Sequence, residues 1–433
     1  MKNNLQLHKF GGASIKDERA IQNVGAIVQS LKNQAIVIVV SAMGKTTNAL
    51  EKLLDHYLNE EADAFRVLEE IKNHHIQVAQ QLFEANHDIF NTINDTFVEI
   101  EWIIEEEPQD GYDYLYDQIV SVGELASTRI VAAYLSQQGL TIQWLDARDV
   151  IHTDNTYREG QIDWNLTQQR CQEVIPPLLT AGKIVLTQGF IGATSENFTT
   201  TLGREGSDFS AAILAYCLDA ERMSIWKDVP GVMTADPRLF AAVSKIDRLS
   251  YKEAIEMTYY GAKVLHPKTI KPLQNKNIPL YVKSFVEPTG EGTYVGGDVE
   301  EQYPPVIVIE GNQSLLHIST RDFSFVAEHH LSNLFQSFAK HRIKINTMQN
   351  MAISFSVCVG NSPQRLALLL ADLEADFKVV QQHDLELITV RHFQEDLLEQ
   401  LIKGKMVLFE ERIRNTIQMV VRDLPSMQRI EKS

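Results

Sequence analysis

AIVIVVSAMGKTTNAL, residues 35–50, is the stretch on which the fold turns. Ala35 to Val40 are six apolar, mostly β-branched residues. The run is too short for a stable helix and has no polar alternation, which is how a strand buried on both faces of a parallel sheet reads. A polar loop, Ser41 to Thr47, follows, and then a helical pattern. Similar short apolar runs lie on either side: LQLHKF before it, then TIQWLDA, KIVLTQGF, RMSIW and IPLYVKS. Alternating with amphipathic stretches, they predict an α/β domain over residues 1–285, its mostly parallel sheet sandwiched by helices. From about 50 to 120 the chain reads as almost wholly helical and ends in the acidic EEEPQDG, a helical excursion beside the sheet.

Residues 287–305, EPTGEGTYVGGDVEEQYPP, are rich in Gly, Pro and acid, so a linker is expected over 286–305. Beyond it, LLHIST, AISFSVCVG and LELITV read as strands and QRLALLLADLEA as a helix. Leu331, Leu334, Phe335 and Phe338 share one face of a further helix. This order predicts a ferredoxin-like α+β region over 306–433, one full module and one reduced copy.

With 433 residues the chain holds two or three domains, and its 44% hydrophobic and 22% charged residues belong to a packed protein. A net charge of −17 without a basic stripe argues against nucleic acid as a partner. Cys171, Cys217 and Cys358 lie far apart without metal-ligand spacing, which fits a reducing cytoplasm. The opening MKNNLQLHKF lacks the apolar core of a signal peptide, and no apolar run is long enough to imply a membrane partner.

Glycine-marked blocks carry the chemistry. Lys9, Gly11 and Gly12 follow the first strand. Glycines there let backbone N–H groups approach a phosphate and the lysine adds a point charge, although a plain strand-to-helix turn reads the same way. GKT at residues 44–46 imitates a P-loop, but that loop needs glycine where Val39 stands, so the P-loop is rejected. Ser41 and Thr47 are left as substrate donors or as helix caps. Glu124 opens a helix, where the dipole alone favours acid. In TTTLGREGSDFSAAILAY, residues 199–216, Arg204 sits in a glycine-flanked loop able to grip a carboxylate. Ser207 and Asp208 open the next helix, as cap and first-turn acid or as a site for a lysine or a metal. IWKDVPGVMTADPR and YYGAKVLHP add Lys227, Asp228, Arg238 and Lys263, suited to nucleotide phosphates or simply solvated.

In order, KFGGAS, VVSAMGKTTNAL, VGELASTRIVAAYL, TTTLGREGSDFSAAILA, IWKDVPGVMTADPR and YYGAKVLHPKTI resemble the aspartokinases of the amino-acid kinase family, across essentially the whole chain. The carboxy-terminal region resembles the ACT domains through which such enzymes bind amino-acid effectors and dimerise. The resemblance implies ATP-dependent phosphorylation of the L-aspartate side chain at the head of lysine, threonine and methionine synthesis, with lysine or threonine as effector and a homodimer or higher oligomer. It places Lys9 on the transferred phosphoryl group and Asp208 as the organiser of Lys9. Arg204 falls on the substrate α-carboxylate, Glu124 on its ammonium, and Ser41 and Thr47 complete the pocket. ATP falls to Lys9, Gly11, Gly12, Lys227, Asp228, Met233, Arg238, Lys263 and Val264. Mg2+ bridges the phosphates without a dedicated protein cage.

Two residues depart from the pattern. Glu205 stands where the family commonly has glycine, and an inward-pointing carboxylate there would impair catalysis. Met233 replaces a frequent tyrosine. No GxGxxG segment is present, which implies the monofunctional form. The alternative from another class is an amino-acid-sensing regulatory paralogue with impaired catalysis. Another kinase of the same superfamily fits less well, because those chains usually lack the ACT tail and the helical excursion.

Overall fold

The computed structural model describes residues 4–59, 63–262, 265–300, 302–321 and 324–424. The chain forms two compact units, the first from residues 1–232, 245–255 and 263–301, the second from 233–244, 256–262 and 302–433.

In the first unit, every short apolar run named above becomes a strand of one eight-stranded sheet. The order is Ile142–Leu145, Ile184–Gln188, Ala35–Val40, Leu5–Phe10, Arg222–Lys227, Leu280–Ser284, Thr293–Gly296 and Arg248–Ser250. All neighbours run parallel except Leu280–Ser284 with Thr293–Gly296. Leu5–Phe10 is buried along its whole length and Ala35–Val40 from Ile36 on, which is why the latter has no polar residue. Helices cover them, and the expected excursion is present as Thr46–Leu58, Ala64–Leu82, Ile89–Glu105 and Tyr112–Val120. Among the described residues, one helical stretch, Tyr112–Gln137, is long and apolar enough to cross a bilayer; 83% of its apolar window is buried inside the protein, as for a core helix.

The expected linker needs correction, because Thr293–Gly296 within it is a strand hydrogen-bonded on both sides. Its Gly- and Asp-rich flanks conceal four residues that alternate only weakly.

The second unit holds a six-stranded, wholly antiparallel sheet in the order Ile345–Asn350, Ser354–Gly360, Val306–Thr320, Phe377–Arg391, Thr416–Asp423, Lys405–Ile413. Two 15-residue strands, Val306–Thr320 and Phe377–Arg391, pair from end to end across a bulge and serve three hydrophobic clusters, of which Leu315, Leu385, Leu387, Phe409 and Val420 form one. Leu316, Ile318, Phe355 and Val357 pack with Leu334 and Phe338 of helix Glu328–Lys340 and Leu366 and Leu369 of helix Pro363–Leu373. Ile388, Val390, Ile417 and Met419 pack with Leu398 of helix Glu395–Leu401. The helical face expected from Leu331, Leu334, Phe335 and Phe338 holds except at Phe335, which is 41% exposed and meets Phe355 only edge-on.

Candidate active site

Parallel strands deliver their carboxyl ends to one edge of the sheet, and that edge is where an α/β fold receives ligands. Lys9 lies one residue before the end of strand Leu5–Phe10, in register with Val39 on one side and Ile225 on the other. Ser41 follows the end of Ala35–Val40 and its N–H donates to the Phe10 carbonyl (3.1 Å). Lys227 ends Arg222–Lys227.

Helix Gly206–Cys217 brings Asp208 to the same edge. The Lys9 ammonium approaches Asp208 Oδ1 at 2.6 Å and the Lys227 ammonium approaches Oδ2 at 3.4 Å. Asp208 is 3% exposed. Burial alone would raise its pKa, but the two lysines hold the carboxyl below its ordinary value. Asp208 thus meets Lys9, the neighbour expected of it, and also Lys227, which was assigned only to ATP, so two cations share one anion.

Gly11 and Gly12 lead from Lys9 into a short 3-10 turn, Gly12–Ile15. A Cβ on Gly12 would lie 2.7 Å from the Ala42 carbonyl oxygen and 3.0 Å from that of Gly44. The loop after the first strand and the loop after Ala35–Val40 thus touch backbone to backbone, with the Gly44 N–H donating to Gly12 O (3.1 Å). Only glycine permits this approach.

Glu124 lies in the first turn of helix Val122–Gln137 and is 3% exposed. Its Oε1 accepts from the Ala42 N–H (3.2 Å), while Oε2 is buried without a hydrogen-bond partner. Burial pushes its carboxyl up to about 8, against the pull of the Ala42 N–H and of Lys9. Dipole compensation needs no burial, so the helix dipole alone does not account for a buried carboxyl with one unpaired oxygen.

Capping does not explain the other polar residues. The helix after the GKT segment begins at Thr46 with Lys45 at its cap position, so Thr47 sits in the first turn, half-buried. Ser41 is also half-buried, and its carbonyl accepts from Ser127 Oγ (2.7 Å). Ser207 is likewise no cap: helix Gly206–Cys217 starts one residue earlier and Glu205 takes that position. Glu205 has φ 55° and ψ 26°, the left-handed region in which glycine is at ease. Arg204, beside it, is exposed.

Of the remaining expected residues, Asp228 is exposed in the first unit. Met233 and Arg238 belong to the second unit, where Arg238 makes a forked pair with Asp236 (2.6 Å). Lys263 and Val264 lie outside the described residues.

Asp117 went unnoticed in the sequence. It is fully buried and accepts from Thr201 N–H (2.9 Å), Thr201 Oγ1 (2.6 Å) and Arg158 N–H (2.9 Å), which anchors the segment leading to Arg204. Burial pushes it up to about 6 against those donors. The available signal was an aspartate within an apolar helix, two residues after Leu115 and two before Ile119.

Residues 4–284 match the amino acid kinase family. The chain is 34% identical over 361 residues to lysine-sensitive aspartokinase 3 of Escherichia coli K12, covering 83% of this chain and 79% of that one. It is 33% identical over 312 residues to the aspartokinase of Chlamydia trachomatis, covering 71% and 69%. Among solved structures, E. coli aspartokinase III in complex with aspartate and ADP, an R-state, superposes with a TM-score of 0.83 at 29% identity over 96% of both chains. The same enzyme with lysine and aspartate, a T-state, gives 0.80 at 29% identity, again over 96% of each.

Proposed function

We infer that this chain, which belongs to the amino acid kinase family, is an aspartate kinase: it transfers the γ-phosphoryl group of ATP to the side-chain carboxylate of L-aspartate and forms 4-phospho-L-aspartate, the first step towards lysine, threonine and methionine. The observation that carries this reading is the Lys9–Asp208–Lys227 cluster at the carboxyl edge of the sheet, next to the half-satisfied Glu124.

An aspartate side chain, with a reference pKa of about 3.9, is already ionised at neutral pH, so the attack needs no general base. What opposes it is repulsion between that carboxylate and the γ-phosphate. Phosphoryl transfer is mostly positioning and electrostatics, and Lys9, held in place by Asp208, supplies the positive charge where the two anions meet. Lys227 faces the phosphates from the neighbouring strand. Gly11 and Gly12 offer backbone N–H groups at close range. Glu124 receives the substrate α-ammonium: the arriving cation satisfies Oε2, and the carboxyl gives up its proton to solvent. Arg204 closes on the α-carboxylate, and Ser41 and Thr47 donate to the rest of the substrate.

Asp228, Met233, Arg238, Lys263 and Val264 complete the ATP contacts on the strength of the family resemblance. Mg2+, when bound with ATP, would neutralise charge on its phosphates and would take most of its ligands from them and from water.

An amino-acid effector, lysine before threonine, acts at the second unit; the lysine-bound relative supports this choice. A cytoplasmic home belongs to the same proposal, and three free, buried cysteines suit it. The second reading, a sensing paralogue with impaired catalysis, draws on Glu205, whose carboxyl feels the charges of Lys227, Asp208, Arg204 and Lys9.

One assay separates them. Purified chain is incubated with Mg-ATP, hydroxylamine and L-aspartate, and the acyl phosphate is trapped as its hydroxamate. Hydroxamate that requires aspartate, falling about 100- to 1,000-fold in Lys9→Ala, is the expected result. Folded protein that binds ATP and yields none overturns the kinase.

A further inference from the structure

Glu205 has no part in the chemistry above, yet the chain accepts two penalties to keep it. Its backbone is left-handed, φ 55°, where a side chain is strained and glycine is not. Its Oε2 is buried with no hydrogen-bond donor among the described residues. An orphaned carboxylate oxygen is costly in a low-dielectric setting. Glycine at this position would remove both penalties.

The carboxylate faces a defined set of charges. Burial raises its pKa most; Lys227 then opposes the rise, Asp208 adds to it, and Arg204 and Lys9 oppose it. In the fold Glu205 is the N-cap of helix Gly206–Cys217, three residues before the Asp208 that pairs with Lys9 and Lys227, which puts it at the edge read above as the phosphate site. Of the other carboxylates nearby, Asp208 is held by two lysines, and Glu124, with Oε1 on the Ala42 N–H, keeps Oε2 for the substrate ammonium in the reading above. Glu205 Oε2 is a hard oxygen that no hydrogen-bond donor among the described residues holds. A bare carboxylate beside a triphosphate repels it, but a divalent cation between the two reverses the sign. Mg2+ typically takes one or two carboxylates together with phosphate oxygens and water.

We propose that Glu205 is a protein carboxylate ligand of the divalent cation that accompanies the nucleotide, a role that rests on the reading of this edge as a nucleotide site. The effect of Glu205 on nucleotide binding then changes sign with the metal: favourable when the cation is present, unfavourable when it is chelated. No purely structural role for the residue does this.

Mn2+ serves as the probe. The full chain is titrated with Mn2+ at saturating ADP, following the paramagnetic resonance of the free ion, and ADP affinity is measured separately in EDTA. Glu205→Gly relieves the left-handed strain and so keeps the fold; Glu205→Gln keeps the size of the side chain. Both variants are expected to hold Mn2+ in the ternary complex about tenfold or more weakly, while binding ADP in EDTA as tightly as the native chain or more so. Variants that hold Mn2+ as tightly as the native chain, or tighter, overturn the ligand and leave Glu205 a repelling anion. If the native chain itself binds no Mn-ADP, the nucleotide site falls, and the ligand falls with it.

Discussion

Asp208 takes an ammonium on each of its two oxygens, so the trio with Lys9 and Lys227 carries one surplus positive charge at the strand ends. Glu124 supplies the opposite polarity a short way off, and its protonation makes substrate capture depend on pH. Because its carboxyl ionises near 8 in the free protein, kcat/KM for aspartate should climb with pH and level off near that value. In Glu124→Gln the climb should vanish, with KM for aspartate rising more than kcat falls; a pH–rate series on both proteins checks this. The sign for stability is opposite. The group titrates near 4.5 when unfolded and near 8 when folded, so the folded chain holds the extra proton between these values and this contribution to stability declines as pH rises through that window. Glycine blocks single out Lys9, Arg204 and Asp208 as candidates, and Glu205 stands out as a break in one of them. The left-handed backbone at Glu205 has no sign in local composition, and the burial of Asp117 has only the faint one of an acid in an apolar helix.

The site depends on two loops held backbone to backbone at Gly12. In Gly12→Ala the new methyl would press on the carbonyl oxygens of Ala42 and Gly44. Neither can yield without moving a strand end. The variant should lose about 1–3 kcal/mol of stability and bind ADP more weakly, read from urea midpoints and a nucleotide titration. At this scale the sequence was most informative where burial was complete: runs such as AIVIVV have no polar residue to confuse the reading. It was least informative for Thr293–Gly296, a strand framed by turn-forming residues, and for helix starts, where Glu205 rather than Ser207 holds the cap position. Serine is the common choice there, and a glutamate in the left-handed region is not.

At the scale of the molecule, strand Ile345–Asn350 leaves one edge of the second sheet open, and Met348, Met351 and Ile353 on and after it are 43–56% exposed. An apolar edge of this kind invites pairing with another copy. Sedimentation velocity should show a dimer or larger species, and Met348→Lys combined with Ile353→Lys should shift it towards monomer; an unchanged coefficient would place the contact elsewhere. The same sheet was legible in outline as a ferredoxin-like order, but the sharing of strands was not, because only LLHIST and LELITV, a part of each 15-residue strand, read as strands, the rest lying beyond a bulge or carrying polar residues. That sharing has a consequence for how the region opens. Val306–Thr320 and Phe377–Arg391 contribute to all three hydrophobic clusters among the described residues of the second unit on a single ladder, so no cluster can melt while the others stay closed. Amide protons under helix Glu328–Lys340 and under helix Glu395–Leu401 should exchange with solvent as one cooperative block, and an amino acid that tightens one end would slow exchange at the other.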